Sequence, residues 1–216
     1  MAESTRTYLP AAGRDWLLPF YDPIVKLIGG EAVRRALIDQ ARIQPGQHVL
    51  EVGCGTGAVT TVIKRLYPEA EVVGLDPDPK ALARAQRKAA DAGISIQYDQ
   101  GFAGTLPYPP ATFDRVLSAF MFHHLPADEK GKMLREARRV LKPGGEFHML
   151  DFQGSEDAGR GFLARLLHGR AGLRDNSENR VLNLMQQAGF ADAKKTGCRR
   201  MLFARTAYYR AIQQGS

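Results

Sequence analysis

Apolar positions along the chain fall into two alternating periods. Five short runs, His48 to Val52, Glu71 to Leu75, Ile94 to Asp99, Phe113 to Ala119 and Glu146 to Phe152, read as strands, and the first is β-branched and apolar, as in a strand buried in a parallel sheet. Between them, Ala58 to Leu66, Pro79 to Ala92 (closed by Gly93) and Asp128 to Leu141 carry helical spacing. Two short helices, Trp16 to Ile28 and Glu31 to Ala41, separated by Gly29-Gly30, precede the first strand, and a last helix, Ser177 to Ala188, ends at Gly189. Strict alternation of strand and helix predicts an α/β fold with a doubly wound, mostly parallel sheet and helices on both faces.

The first strand runs into Gly53-Cys54-Gly55-Thr56-Gly57, and a helix follows at once. Glycines accept positive φ and let a ligand lie against the main chain, while the first N–H groups of the helix face the same crevice. The second strand delivers Asp76 to its carboxyl end, where a carboxylate can accept two ribose hydroxyls. The unit suits a ribose-bearing ligand.

Two ligand classes fit that outline. Gly53-x-Gly55-x-x-Ala58, with Asp76 near the expected ~20 residues further on, is the Gly/Ala form of a dinucleotide fingerprint. Glu51-x-Gly53-x-Gly55-x-Gly57 reads differently, because its carboxylate stands two residues before the first glycine. A negative charge there opposes a pyrophosphate and favours a cationic ligand.

Five ordered motifs resemble those of class I S-adenosylmethionine-dependent methyltransferases: Glu51 to Gly57, Gly74 to Asp78, Gly101 to Tyr108, Phe113 to Ala119 and Arg139 to Gly145. The likeness runs from about Gln44 to about Tyr209, and the branch it looks closest to is that of small-molecule enzymes including the quinone-type C-methyltransferases. It implies a Rossmann-like, seven-stranded sheet whose last two strands, antiparallel, come from Ala193 to Tyr209. It also implies S-adenosyl-L-methionine as cofactor and a division into an N-terminal arm and helical cap (1–43) and a methyltransferase domain (44–216).

The resemblance assigns the site residue by residue. Glu51 would balance the ligand's amino group, with Gly53, Gly55, Thr56 and Gly57 around the methionine part and ribose. Asp76 would hold the ribose hydroxyls, Pro77 would edge the adenine, and Phe102 and Ala103 would meet it through backbone and ring. Phe102 stands where the family usually has Asp or Asn, which removes one acceptor for the exocyclic amine. Ala119, at the end of the fourth strand, would line the methyl path. Tyr21 is expected on the substrate side, since N-terminal tyrosines commonly close such pockets, although an aromatic on a helix is more often a core residue.

Methyl transfer from a sulfonium asks mainly for alignment and exclusion of water. A base is needed only where the acceptor must lose a proton. His123 and His124 follow the fourth strand at the correct edge and are the candidate catalytic residues, His123 ahead of His124 and also a candidate substrate contact; capping or packing is the alternative role. Gln153 to Asn176, rich in glycine and arginine after the fifth strand, is a candidate lid over the acceptor (153–176).

Composition changes the picture little. With 216 residues, 44% of them hydrophobic, the chain can bury an ordinary core without staples. The net charge of +7 gathers in arginines of the last third, without the aromatic interleaving of a nucleic-acid module, and reads as solvated surface; attraction to an anionic acceptor or membrane surface stays open. No run is long enough to span a membrane and no signal pattern opens the chain, so a cytoplasmic protein is expected. Cys54 and Cys198 lack metal-ligand spacing, so no metal is expected, and thiol-dependent arsenic methylation is not supported. The function expected is methyl transfer to a small, partly apolar molecule; an RNA or protein methyltransferase and a non-catalytic cofactor-binding module are the alternatives.

Overall fold

Four of the five side chains of His48–Val52 are buried, and this strand, β1, is the axis around which the sheet is laid. The computed structural model describes residues 30–153, 178–201 and 205–215. Helix α1 (Gly30–Ala41) precedes β1, followed by α2 (Ala58–Leu66), β2 (Glu71–Asp76), α3 (Pro79–Asp91), β3 (Gln97–Gln100), β4 (Phe113–Ala119) and α4 (Ala127–Val140). The chain continues with β5 (Leu141–Phe152), α5 (Glu178–Gln187), β6 (Ala191–Arg200) and β7 (Arg205–Ile212).

The strands lie in the order β3-β2-β1-β4-β5-β7-β6. β1 to β5 are parallel, β7 runs antiparallel between β5 and β6, and the sheet is Rossmann-like and mostly parallel, as expected. The order reverses between β1 and β4, and in such sheets the crevice outside the strand ends at that point is where ligands bind.

Apolar residues fill both faces. On one, Leu50, Val116, Phe147 and Met149 pack with Met133, Leu134 and Ala137 of α4 and Val181 and Met185 of α5. On the other, Val49, Leu117, Leu150 and Tyr208 pack with Val33, Leu37 and Ile38 of α1 and Val59 and Ile63 of α2. Helix α1 is also tied down by polar contacts. The Tyr208 hydroxyl donates to the Val33 carbonyl (3.0 Å), Arg115 Nε donates to the Ala41 carbonyl (2.8 Å), and Gln40 Nε2 reaches the Tyr209 carbonyl (3.1 Å).

Three strand starts differ from the sequence reading, two of them for a local reason. β3 begins at Gln97 rather than Ile94 because Gly93 (φ 64°) and Ile94 close α3: their N–H groups donate to Ala90 O (2.9 Å) and Ala89 O (3.1 Å), the two bonds of a Schellman stop. β5 begins at Leu141 because the Lys142–Gly145 turn is a bulge inside the strand, with Leu141 opposite Phe113 and Glu146 opposite Arg115. β6 begins at Ala191, two residues before the expected start. The expected helix at 16–28, the candidate lid beyond Gln153, Trp16 and Tyr21 lie outside the described residues.

The two ways of holding α1 differ in magnitude. Leu37→Ala, at a fully buried position, should cost ~2–5 kcal/mol of unfolding free energy. Tyr208→Phe should cost only ~1 kcal/mol, the worth of one neutral hydrogen bond. Urea titration of both variants distinguishes them, and equal losses would contradict this division.

Candidate active site

The glycine turn is folded onto the end of β2 by the backbone. Gly53 and Cys54 both donate to the Leu75 carbonyl (2.8 and 3.0 Å), and Gly57 donates to Cys54 O (2.9 Å). Gly53 and Gly57 have φ of 76° and 73°, which side-chain-bearing residues rarely adopt. A Cβ on Gly53 would collide with the Met121 side chain, and one on Gly57 would stand 2.6 Å from the Tyr98 hydroxyl. At Gly55 a Cβ would meet nothing within 4 Å, so its bare backbone borders open space.

That space is a cavity of about 460 Å³ at the carboxyl ends of β1, β2 and β4, a volume in the usual range for small-molecule sites. Two acids face it. Each oxygen of Asp76 accepts one backbone amide, Oδ2 from Gly55 (2.8 Å) and Oδ1 from Asp78 (2.9 Å). Burial raises its pKa and the two amides partly offset the rise. A carboxylate offers about four lone-pair sites, so both oxygens keep acceptor capacity toward the cavity.

Glu51 is 2% exposed, and Thr60 N–H donates to its Oε2 (3.0 Å). Burial pushes its pKa from 4.5 up to about 8, against the opposing charges of Arg34 and Lys88. Without a cationic partner in the cavity this acid is largely protonated at neutral pH. Cys54, also on the cavity wall, is held as a thiol chiefly by burial.

Pro77, Phe102 and Ala103 form the wall beyond β2. Phe102 is 37% exposed, one of the two large apolar side chains left open among the described residues. Its chain is pinned by a short bridge to Thr105, so the ring presents an apolar face suited to stacking.

Beyond β4 the backbone turns sharply. Phe120 adopts φ 57°, a costly conformation for a bulky residue; its N–H donates to Leu150 O (2.9 Å) and its ring lies 4.9 Å from that of Phe152. A single 3₁₀ turn, Phe122–His124, follows. His124 lines the cavity; His123 does not. His123 is 4% exposed, with Nδ1 at 2.6 Å from Asp151 Oδ1 and its backbone N–H on Oδ2 (3.0 Å). Burial alone would raise the Asp151 carboxyl, but the His123 ring and the amides of Phe152 and His123 outweigh it and hold the group below its ordinary value. The two imidazoles are tilted at 40° to each other with centroids 3.9 Å apart, so the sequence Asp151, His123, His124 leads from the core to the cavity.

Of the residues expected at the cofactor, Glu51, Gly53, Gly55, Thr56, Asp76, Pro77, Phe102, Ala103 and Ala119 line this one cavity. Gly57 does not; it is packed against Tyr98 and Ala85. Residues that sequence reasoning missed are Arg34, which lines the cavity from α1, and Asp151, which orients His123. Neither had a local signal: Arg34 is one of several polar positions on an amphipathic helix, and Asp151 sits inside an apolar strand. Among the described residues no group of three His, Cys, Asp or Glu could hold a metal ion.

A doubly wound sheet, a glycine turn at its switch point and an acid at the end of each of the first two strands define a nucleoside-binding domain suited to a cationic ligand. Residues 49–145 match the family described as "Methyltransferase domain". Demethylmenaquinone methyltransferase of Thermus thermophilus is 37% identical over 139 residues, 63% of this chain and 62% of that protein. The ubiquinone/menaquinone biosynthesis C-methyltransferase UbiE of Yersinia enterocolitica is 38% identical over 122 residues, 55% of this chain and 48% of the relative. A solved S-adenosylmethionine-dependent methyltransferase from Aquifex aeolicus shares the fold, with a TM-score of 0.67 at 20% identity over 89% of this chain and 97% of that one. Residues 49–145 thus resemble a methyltransferase domain. The chain spans about six-tenths or less of the length of these curated relatives.

The raised pKa of Glu51 has a definite sign in stability. Below pH 4.5 the acid is protonated folded and unfolded; between 4.5 and about 8 the unfolded chain releases the proton and the folded one retains it, so stability falls across that window. Glu51→Gln removes this loss. Ligand-free Glu51→Gln should gain stability over the native chain as pH rises from 5 to 8, measured by urea unfolding. A gap that does not grow with pH would contradict the assignment.

Proposed function

We propose that the protein transfers a methyl group from S-adenosylmethionine to a small, partly apolar acceptor by in-line displacement within this cavity. The observation carrying the proposal is the pair of buried acids on one wall, Asp76 with both oxygens oriented by backbone amides and Glu51 with no cation paired to it among the described residues. Asp76 suits ribose hydroxyls and Glu51 suits an ammonium, whereas a dinucleotide would bring pyrophosphate charge toward Glu51. The relatives named for quinone methylation support the choice of a small acceptor.

Bound here, S-adenosylmethionine supplies a methyl group already activated on a sulfonium. The chain's own residues then bind, orient and exclude water. Gly53 and Gly55 allow backbone contact, Phe102 offers a stacking face, and Ala119, Phe120 and Met121 surround the space at the end of β4. Where the acceptor must lose a proton, His124 is the group on the cavity wall to take it, and His123 behind it is a positioning residue held by Asp151. Tyr21 and the 153–176 segment remain proposals for the acceptor side, and 1–43 and 44–216 for the division of the chain.

Calorimetric titration tests the cofactor directly. S-adenosylmethionine and its demethylated product should bind, NAD should not, and Asp76→Ala should abolish binding of both; binding of NAD alone would overturn the proposal. Because Glu51 must ionise against the ligand's ammonium, binding at pH 7 should release up to one proton, read from the dependence of heat on buffer. For an acceptor that ionises, His124→Ala should lower turnover by ~10²–10⁴ with cofactor affinity retained. Full turnover with an unchanged pH profile would remove His124 from the chemistry.

A further inference from the structure

The hairpin of β6 and β7 ends on the edge of the sheet onto which the cavity opens. β7 runs antiparallel to β5, so its first residue, Arg205, stands beside the carboxyl end of β5, where its carbonyl accepts the Gln153 N–H at 2.8 Å. Arg200 is directly opposite Arg205, and Arg199 is opposite Thr206, whose hydroxyl donates to the Arg199 carbonyl (3.1 Å). Neighbouring strands lie ~4.8 Å apart, which puts β7 about 10 Å from β4, the strand that leads to His124 and Leu125 on the cavity wall. All three arginines are exposed, and among the described residues none of them forms an ion pair. Like charges directly opposite across a strand pair are destabilising. Charges on an edge strand commonly keep a sheet from pairing with another, yet Arg205 belongs to β7, which is paired on both sides.

Successive strand residues point to opposite faces, so Arg199 stands on one face of the hairpin and Arg200 with Arg205 on the other. Donors that diverge in this way cannot close on one small anion; they suit an extended anionic surface. The sequence between the strands is apolar as well: Met201 is followed by Leu202, Phe203 and Ala204, where a hairpin connection ordinarily carries Gly, Pro, Asn or Asp. Arginines flanking an apolar stretch of sequence have the composition of a bilayer-interface segment. We propose that the rim of Arg199, Arg200 and Arg205 docks the protein on an anionic lipid surface, holding the cavity beside the bilayer. The cavity wall beyond β4, with Phe120, Met121, Leu125 and Pro126, is apolar, so a molecule drawn from the lipid meets a wall of its own polarity. RNA is the poorer match, because among the described residues no exposed aromatic stands beside the arginines for its bases to stack on. The docking does not depend on which cofactor the cavity holds.

Co-sedimentation of the full chain with vesicles of phosphatidylcholine, with and without phosphatidylglycerol, tests the rim. The native protein should bind the anionic vesicles, and less so as salt is raised, while leaving the neutral ones free. Each arginine near an anionic surface is worth roughly a fivefold change in binding, so the triple variant Arg199→Gln, Arg200→Gln, Arg205→Gln should bind the anionic vesicles about a hundredfold more weakly. Arg200→Gln alone removes the like-charge pair and should be at least as stable to urea as the native protein; a loss of stability would mark the pair as structural and overturn the assignment. Equal binding to both kinds of vesicle, or full binding by the triple variant, would also overturn it. So would release of the bound protein by inorganic phosphate at constant ionic strength, which would make the rim a discrete anion site. Tighter binding to a single-stranded oligoribonucleotide than to the vesicles, lost in the triple variant, would assign the rim to nucleic acid instead.

Discussion

The closure of the glycine turn onto the end of β2 is the contact on which the site depends. Leu75 O accepts two successive amides from the turn, and Asp76, the next residue, accepts a third from Gly55. Those bonds fix the turn between β1 and α2 and leave the Gly55 backbone bare toward the cavity. They also bring the two acids, one from each strand, to a single wall before any ligand arrives. Asp78 continues the pattern by capping α3 through Lys80 N–H (2.8 Å), so the ribose side of the cavity rests on helix and strand ends rather than on a free loop.

Electrostatics then decides what the cavity accepts. Burial has raised the pKa of Glu51 and Asp76 together, so a second negative charge is disfavoured and a cation is rewarded by allowing Glu51 to ionise. The other buried acid near the site, Asp151, is treated oppositely: paired with His123 and two amides, it stays ionised in the core. One cluster is thus poised for a ligand's charge and the other has its charge satisfied internally, holding the imidazole pair in place behind the acceptor space. The Phe120 backbone, left-handed between the two, turns β4 away from the sheet so that the cavity can open.

Much of this was legible in the sequence because it is written locally. Strand-length apolar runs, Gly53 to Gly57 and the position of Asp76 predict the parallel sheet, the turn and one wall of the site. The exceptions depend on tertiary contacts. The late start of β3 follows from a helix stop in which Gly93 and Ile94 act together, and the bulge at Lys142–Gly145 is visible only against Arg115 on the neighbouring strand. Arg34 reaches the cavity only because α1 packs across β5 and β7, and Asp151 meets His123 only because β4 and β5 are neighbours. The ranking of His123 above His124 also depended on burial, which adjacent residues in a sequence do not disclose.

A crystal structure of the full chain with S-adenosylhomocysteine tests the central claim most directly. The account predicts the ribose hydroxyls on Asp76, the adenine beside Pro77 and Phe102, and the amino-acid end toward Glu51. A ligand bound with its ribose away from Asp76, or with its amino-acid end pointing away from Glu51, would contradict it.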